Sequence, residues 1–135
     1  MKTRFKVFLL FSLLLYFVSC TARVSQNQTS TYIDITPIEA REKIQKAKNV
    51  LLLDVRTKEE FSEERIKNAL NIPVQELEKR LDELKKYKNF EIIVYCRSGA
   101  RSRRASEILV KNGFKFVYNL SGGIIEWKKQ FEVEK

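Results

Sequence analysis

The segment Glu91-Ile92-Ile93-Val94-Tyr95-Cys96-Arg97-Ser98-Gly99-Ala100-Arg101-Ser102 carries the clearest indication of the fold of this chain. Residues 91–95 have the apolar, β-branched composition of a strand that is buried on both faces. A helix is predicted over residues 102–112, and Gly113 suits the left-handed conformation that often ends a helix. The connection, which we call the cysteine loop (residues 96–102), is therefore predicted to leave a buried strand and enter a helix.

Strand and helix patterns alternate on both sides of this unit. Further strands are predicted over residues 32–35, 50–53, 69–72 and 115–120, and further helices over residues 37–46, 59–65, 75–87 and 124–129. Thr36, Pro37 and Glu39 form a capping box with proline at the first helical position. The alternation predicts an α/β fold with a mostly parallel central sheet and helices on both faces.

Composition limits the chain to one ordinary globular domain. It has 135 residues, of which 44% are hydrophobic and 32% charged, with four glycines and two prolines. These values exclude collagen-like and wholly disordered chains. With no histidine and two cysteines, Cys20 and Cys96, the chain lacks the common zinc-finger spacings and a disulfide framework, so no metal site is expected.

The amino terminus has the pattern of an export signal. Lys2, Arg4 and Lys6 precede an apolar run over residues 7–18, which is shorter than the roughly 20 residues of a spanning helix. The sequence Phe17-Val18-Ser19-Cys20 resembles the lipobox of bacterial lipoproteins, so lipidation is expected at Cys20. A secretory signal cut near Ser19, or an uncleaved anchor, would be alternatives.

This interpretation divides the chain into a signal peptide (residues 1–19), a lipidated tether (residues 20–31) and a folded domain (residues 32–135). It predicts a protein held on the periplasmic side of the bacterial envelope by its lipid alone, and Thr21 slightly favours the outer membrane. The net charge of +9 includes three basic residues of the signal, and the other basic residues are interspersed with acidic ones. No nucleic-acid partner is therefore expected.

The cysteine loop is suited to binding an anion. Gly99 allows a backbone conformation that other residues disfavour, and successive N–H groups at the start of a helix can surround a negative charge. Together with Arg97 and Arg101, they would stabilise Cys96 as a thiolate, which is the nucleophilic form. A buried cysteine with a purely structural role would be the alternative.

Four motifs resemble those of single-domain rhodaneses, the thiosulfate sulfurtransferase family. They are Asp54-Val55-Arg56 with Glu60-Phe61, Ala69-Leu70-Asn71-Ile72-Pro73, the cysteine loop, and Leu120-Ser121-Gly122-Gly123-Ile124 with Glu126-Trp127. The resemblance covers nearly all of residues 32–135. It implies that Cys96 takes the sulfane sulfur of thiosulfate as a persulfide, releases sulfite, and passes the sulfur to a thiophilic acceptor without a cofactor.

The resemblance also implies roles for neighbouring residues. The anionic donor would be bound by the rest of the cysteine loop, namely Arg97, Ser98, Gly99, Ala100, Arg101 and Ser102. Asp54, Arg56 and Glu60 would be scaffolding, since an arginine four residues before a glutamate commonly forms an ion pair. Trp127 is expected in the core, and the protein is expected to be a monomer.

The sequence departs from the rhodanese pattern at two places, and functions other than sulfur transfer also remain as alternatives. Glu64-Arg65-Ile66 stands where rhodaneses commonly have Gly-His-Ile, and Asn68 replaces a frequent glycine. Dual-specificity phosphatases of the cell-cycle type share this fold and have five residues between cysteine and arginine, whereas four separate Cys96 from Arg101, so phosphatase or arsenate reductase activity is less expected than sulfur transfer. A non-catalytic binding module and a redox thiol are two further functions that this sequence leaves open.

Overall fold

The structure is a computed structural model that describes residues 31–135. The predicted signal peptide, Cys20 and the tether up to residue 30 lie outside the described residues. In chain order the elements are β1 (Ile33–Ile35), α1 (Pro37–Lys46), β2 (Val50–Asp54), α2 (Lys58–Glu63), β3 (Leu70–Asn71), α3 (Val74–Leu77), a 3-10 helix (Glu78–Tyr87), β4 (Glu91–Tyr95), α4 (Ala100–Lys111), β5 (Phe116–Leu120) and α5 (Gly123–Lys128).

The five strands form one sheet in the order β1-β5-β4-β2-β3, and every neighbouring pair is parallel. Asp54 at the end of β2 lies beside Tyr95 at the end of β4. Since the strands are parallel, the segments that follow them emerge at one edge of the sheet. The predicted α/β class with a parallel sheet is confirmed.

Helices cover both faces of the sheet and create two apolar clusters. On one face, α3, the 3-10 helix and α4 pack Leu77, Leu84 and Leu109 against the sheet. On the other face, α1 and α5 contribute Ala40 and Trp127. The indole of Trp127 is fully buried, which confirms its predicted place in the core.

The predicted α-helix over residues 75–87 is wrong in type. Only Val74–Leu77 is α-helical, and Glu78–Tyr87 is a 3-10 helix. A 3-10 helix has three residues per turn, so Leu81, Leu84 and Tyr87 lie along one line. Leu84 is buried and the other two pack against the same cluster. The threefold spacing of these apolar residues thus suits the tighter helix.

The ends of several elements follow local signals in the sequence. The Thr36–Glu39 capping box forms, and a second one forms between Thr57 and Glu60 at the start of α2. Gly113 has a φ of 84°, which confirms its left-handed conformation, and Asn68 has a φ of 64°. Helix α4 begins two residues earlier than predicted, at Ala100. No helix of residues 31–135 is long and apolar enough to span a membrane.

Hydrogen bonds of its backbone hold in place the segment in which the sequence departs from the rhodanese pattern. Arg65 and Glu134 exchange two backbone hydrogen bonds of 2.8 Å, which form an antiparallel bridge to the carboxyl-terminal residues. The Ile66 N–H donates to the Tyr95 hydroxyl at 3.1 Å. The Glu64-Arg65-Ile66 segment is therefore held by both the chain terminus and the central strand β4.

Candidate active site

The cysteine loop begins at the carboxyl end of the central strand β4, which is where the sequence predicted it. Cys96 directly follows β4, Gly99 is the amino-terminal cap of α4, and Ser102 lies in the first turn of that helix. Gly99 has a φ of 113°. A side chain at this position would strain the backbone, so glycine is needed for the turn from strand to helix.

The sulfur of Cys96 lies in a small cradle of hydrogen-bonding groups. The residue is 1% exposed, the Gly99 N–H donates to Sγ at 3.1 Å, and the Ser102 Oγ lies 3.4 Å from Sγ. Burial by itself raises the pKa of the thiol. Hydrogen bonds from the Ser102 hydroxyl and from the backbone N–H groups of Ser102, Gly99 and Ser98 outweigh it, so the pKa lies below its ordinary value.

Ser102 connects the thiol to the backbone of the loop. Its hydroxyl donates to the Gly99 carbonyl at 3.0 Å and also lies within reach of Sγ. A hydroxyl has one hydrogen, which serves one acceptor at a time. When Cys96 is a thiolate, rotation of the Ser102 hydroxyl supplies the sulfur with a second hydrogen bond. The same side chain can therefore accommodate both protonation states.

Backbone N–H groups at the start of α5 bind two carbonyl groups of the cysteine loop. The Ile124 N–H donates to the Cys96 carbonyl at 2.9 Å, and the Ile125 N–H donates to the Arg97 carbonyl at 3.3 Å. A Cβ on Gly123 would come within 2.5 Å of both carbonyl oxygens. Gly123 is therefore required for this close approach between two backbones.

The two loop arginines have different surroundings. Both guanidinium nitrogens of Arg101 donate to the Glu60 carboxylate, at 2.6 and 2.9 Å. These hydrogen bonds are the main cause that lowers the pKa of Glu60 to about 2. Arg97 is exposed, and its side chain makes no hydrogen bond or ion pair with any of residues 31–135. One arginine is thus held in place while the other is free to meet a ligand.

The expected ion pair between Arg56 and Glu60 is wrong. Arg56 instead binds Asp54, with Nη2 at 2.6 Å and Nε at 3.0 Å from the carboxylate, and this pair is buried. The two residues are close in sequence, so the guanidinium of Arg56 folds back onto Asp54 at the end of β2. Glu60 lies on α2 and accepts hydrogen bonds from Arg101 of the cysteine loop instead. The scaffolding role expected for Asp54 and Arg56 agrees with this burial.

The structure thus brings three of the other six residues of the cysteine loop within hydrogen-bonding reach of the Cys96 sulfur: Ser98, Gly99 and Ser102. For Ser98 the contact is made by the backbone N–H. Ala100 is the exposed first residue of α4. Sequence reasoning missed the contact of Glu60 with Arg101 and the contact of Gly123 with the loop carbonyls. The capping box around Glu60 and the paired glycines were visible, but neither indicates a partner so distant in the sequence.

This arrangement can support nucleophilic chemistry at sulfur. A lowered pKa increases the fraction of Cys96 that is thiolate at a given pH, and N–H groups at the start of the twelve-residue helix α4 stabilise negative charge on the sulfur. The free guanidinium of Arg97 supplies positive charge at the loop. The site therefore suits an anionic substrate and an anionic sulfur intermediate.

Comparison with known proteins agrees with this geometry. Residues 36–130 match the family described as the Rhodanese-like domain. A "Sulfurtransferase" from Allochromatium vinosum is 41% identical over 81 residues, which cover 60% of this chain and 74% of that protein. The "Thiosulfate sulfurtransferase GlpE" of Coxiella burnetii is 36% identical over 97 residues, which cover 72% of this chain and 88% of that protein.

Other relatives are longer, and a solved structure shares the fold. The "tRNA uridine(34) hydroxylase" of Buchnera aphidicola is 34% identical over 112 residues, but the chain spans only 35% of its length. The crystal structure of a rhodanese-related protein from Thermoplasma volcanium matches with a TM-score of 0.68 at 30% identity, covering 76% of this chain and 98% of that chain. The family match, the relatives named as sulfurtransferases and the cysteine loop on its parallel sheet lead to one conclusion: the chain belongs to the rhodanese-like family.

Proposed function

We propose that this protein is a sulfurtransferase that moves sulfane sulfur from thiosulfate, or from a persulfide donor, to a thiophilic acceptor through a persulfide on Cys96. The observation that carries the proposal is the cradle around Cys96 Sγ, in which Gly99 donates at 3.1 Å and hydrogen bonds lower the thiol pKa. The two relatives named as sulfurtransferases support the same class of reaction.

The reaction has two steps. The Cys96 thiolate attacks the outer sulfur of thiosulfate, a bond forms between Sγ and that sulfur, and sulfite leaves with the electron pair of the broken S–S bond. An acceptor such as cyanide or a thiolate then attacks the outer sulfur of the persulfide. The Sγ–S bond breaks, and its electron pair returns to Cys96 as thiolate.

The residues of the cysteine loop assist each step in a different way. The Gly99 N–H and the Ser102 hydroxyl stabilise negative charge on sulfur before and after transfer. Arg97, whose guanidinium makes no ion pair within residues 31–135, attracts the doubly charged donor. Glu60 holds both terminal nitrogens of Arg101, so this guanidinium supplies a fixed positive charge beside the loop.

The same pairing weighs against a phosphatase or an arsenate reductase. In such enzymes the loop arginine must meet the oxyanion, but the Arg101 guanidinium is engaged by Glu60 at 2.6 and 2.9 Å. The four-residue spacing between Cys96 and Arg101 also makes a tighter loop. Sulfur transfer therefore remains the better supported function, and the other two become outcomes of the test.

The test is thiocyanate formation from thiosulfate and cyanide by a polypeptide of residues 21–135, beside its Cys96→Ser variant. We expect turnover by the parent and none above background by the variant. Intact mass should show one added sulfur on the parent after thiosulfate alone. A folded, reduced parent that forms neither thiocyanate nor persulfide would overturn the proposal and favour a phosphatase or a binding module.

We also propose that the chain is lipidated at Cys20 and faces the periplasm. The basic residues, the short apolar run and the Phe17-Val18-Ser19-Cys20 sequence support this, together with the Thr21–Ser30 stretch that precedes the domain. A Cys20→Ala variant should lose its lipid and leave the membrane fraction or accumulate as precursor. Unchanged acylated protein in the membrane would contradict the assignment.

A further inference from the structure

A small pocket lies beside the cysteine loop, between α2 and α5. It has a volume of about 130 Å³, which is enough for several water molecules or a compact headgroup. Its lining includes Arg97 of the cysteine loop, Glu63 and Glu64 at the end of α2, and the apolar side chains of Ile124 and Ile125 on α5. We call this space the α2–α5 pocket.

Most charges around the α2–α5 pocket are already compensated by the protein. Arg56 binds Asp54 and Glu60 binds Arg101, both described above. The Glu64 carboxylate accepts a hydrogen bond from Lys128 Nζ at 2.6 Å. These pairs leave little net charge to attract a ligand. They also leave the position of each paired group well defined.

Two opposite charges in the pocket remain without a partner among residues 31–135. Glu63 and Arg97 are both exposed, and neither side chain forms a hydrogen bond or an ion pair with that part of the chain. The Glu63 carboxylate can accept hydrogen bonds from an ammonium group, and the Arg97 guanidinium can donate hydrogen bonds to a carboxylate. Their presence in one pocket with an apolar side suits a small molecule that carries both charges.

We propose that the α2–α5 pocket binds the ammonium and carboxylate groups of a cysteine-type thiol, which acts as the sulfur acceptor. The ammonium would meet Glu63, the carboxylate would meet Arg97, and the carbon skeleton would lie against Ile125, which is 38% exposed. This inference rests on the proposed sulfur transfer, because it names the acceptor of that reaction. It makes Glu63 a specificity-determining residue.

The position of Arg97 connects this pocket to the reacting sulfur. Arg97 is the next residue after Cys96 and lines the α2–α5 pocket. Under this proposal, a thiol whose carboxylate is held by this guanidinium extends its sulfur from the pocket toward the cysteine loop. The acceptor thiolate attacks the outer sulfur of the Cys96 persulfide and forms a new S–S bond. The Sγ–S bond breaks, Cys96 leaves as thiolate, and the acceptor departs as a persulfide with no net oxidation.

The first experiment compares four thiol acceptors, and cyanide as a fifth acceptor, on the full-length chain in detergent, with thiosulfate as donor. Cysteine carries both charges, cysteine methyl ester carries only the ammonium, N-acetylcysteine only the carboxylate, and N-acetylcysteine methyl ester neither. For each acceptor, kcat/KM of the Glu63→Gln variant is divided by that of the parent. This ratio removes the differences in intrinsic thiol reactivity between acceptors.

We expect a loss of about twofold to fivefold for cysteine and its methyl ester, as for an exposed ion pair. The ratio should stay near one for both N-acetylated thiols and for cyanide. Glu107→Gln, which removes the same charge from an exposed position on α4, is the matched control and should leave all ratios near one. An equal effect of Glu63→Gln on every acceptor, or no effect, would overturn the proposal.

A binding measurement separates this inference from the proposed function. S-methylcysteine carries both charges but no thiol, and its binding can be followed by chemical-shift titration with no turnover. Glu63→Gln should weaken it by about twofold to fivefold. If S-methylcysteine binds in a Glu63-dependent way but no thiocyanate forms, the pocket proposal stands and the sulfur-transfer proposal is contradicted. If thiocyanate forms but S-methylcysteine binds independently of Glu63, or does not bind, the pocket proposal is contradicted.

Discussion

Two arginine–carboxylate pairs lie near the cysteine loop, and they differ in burial. Asp54 and Arg56 are 0% and 3% exposed and lie only two residues apart, and Arg56 also donates to the Glu64 carbonyl at 2.7 Å. Glu60 and Arg101 are 27% and 31% exposed and come from different helices, 41 residues apart. We call them the buried pair and the loop pair.

The difference shows how the fold separates support from chemistry. The buried pair joins the end of β2 to the end of α2, and the Asn71 amide adds hydrogen bonds to the Asp54 and Arg56 carbonyls at 3.0 Å. The loop pair remains within reach of solvent and directs one arginine of the cysteine loop. We therefore expect the buried pair to govern stability and the loop pair to govern reactivity.

Loss of Arg56 should have the largest effect. Arg56→Met would leave the Asp54 carboxylate buried without its partner, which typically costs about 3–5 kcal/mol of unfolding free energy. Arg101→Met should cost less than about 1 kcal/mol, since the loop pair is partly exposed. Urea unfolding of both variants measures this contrast, and equal losses would remove the distinction between the pairs.

Loss of Arg101 should instead appear in the reactivity of Cys96. Without this neighbouring positive charge, the thiol pKa should rise and kcat/KM for thiosulfate should fall by about threefold to tenfold in Arg101→Met. The pH dependence of iodoacetamide alkylation reports the thiol pKa directly. Lys111→Met, on the last turn of the same helix, is the control for a lost positive charge. If both variants alkylate like the parent, the loop pair has no part in activating the thiol.

Acid should weaken the loop pair through Glu60. Its pKa is lowered from 4.5 to about 2, chiefly by the hydrogen bonds from Arg101. Its stabilising contribution is therefore complete above about pH 4.5 and is lost as the pH falls toward 2. Glu60→Gln should unfold with a flatter pH dependence across that window, measured by urea unfolding at successive pH values. A curve parallel to that of the parent would contradict the assignment.

Salt should produce the smallest effect and should act on one pair only. Raising sodium chloride shortens the screening length from about 10 Å at 0.1 M to about 3 Å at 1 M, which weakens exposed charge pairs most. The small stability loss caused by Arg101→Met should shrink at high salt, while the loss caused by Arg56→Met should not. A similar salt dependence for both losses would show that their burial does not distinguish them.

Much of the fold was predictable because its signals are local. The capping box of α1, the left-handed Gly113 and the apolar run of β4 each depend on residues close together in the chain. The threefold spacing of Leu81, Leu84 and Tyr87 is also local, but it favours a 3-10 helix only when these residues have a core to cover. The predicted α-helix was wrong for that reason.

The surroundings of Cys96 were predictable from the sequence, whereas the partners of the outer loop residues were not. The order of residues around Cys96 was sufficient to predict a strand-to-helix loop with a nucleophilic thiol, because backbone N–H groups at a helix start favour negative charge in any fold. Which partner each loop side chain finds depends on packing between distant elements. Arg101 meets Glu60 because α2 and α4 emerge at the same edge of the sheet, and Gly123 meets the loop carbonyls because α5 begins there too. These contacts, and the pocket beside them, were decided only when the parallel sheet brought those segments together.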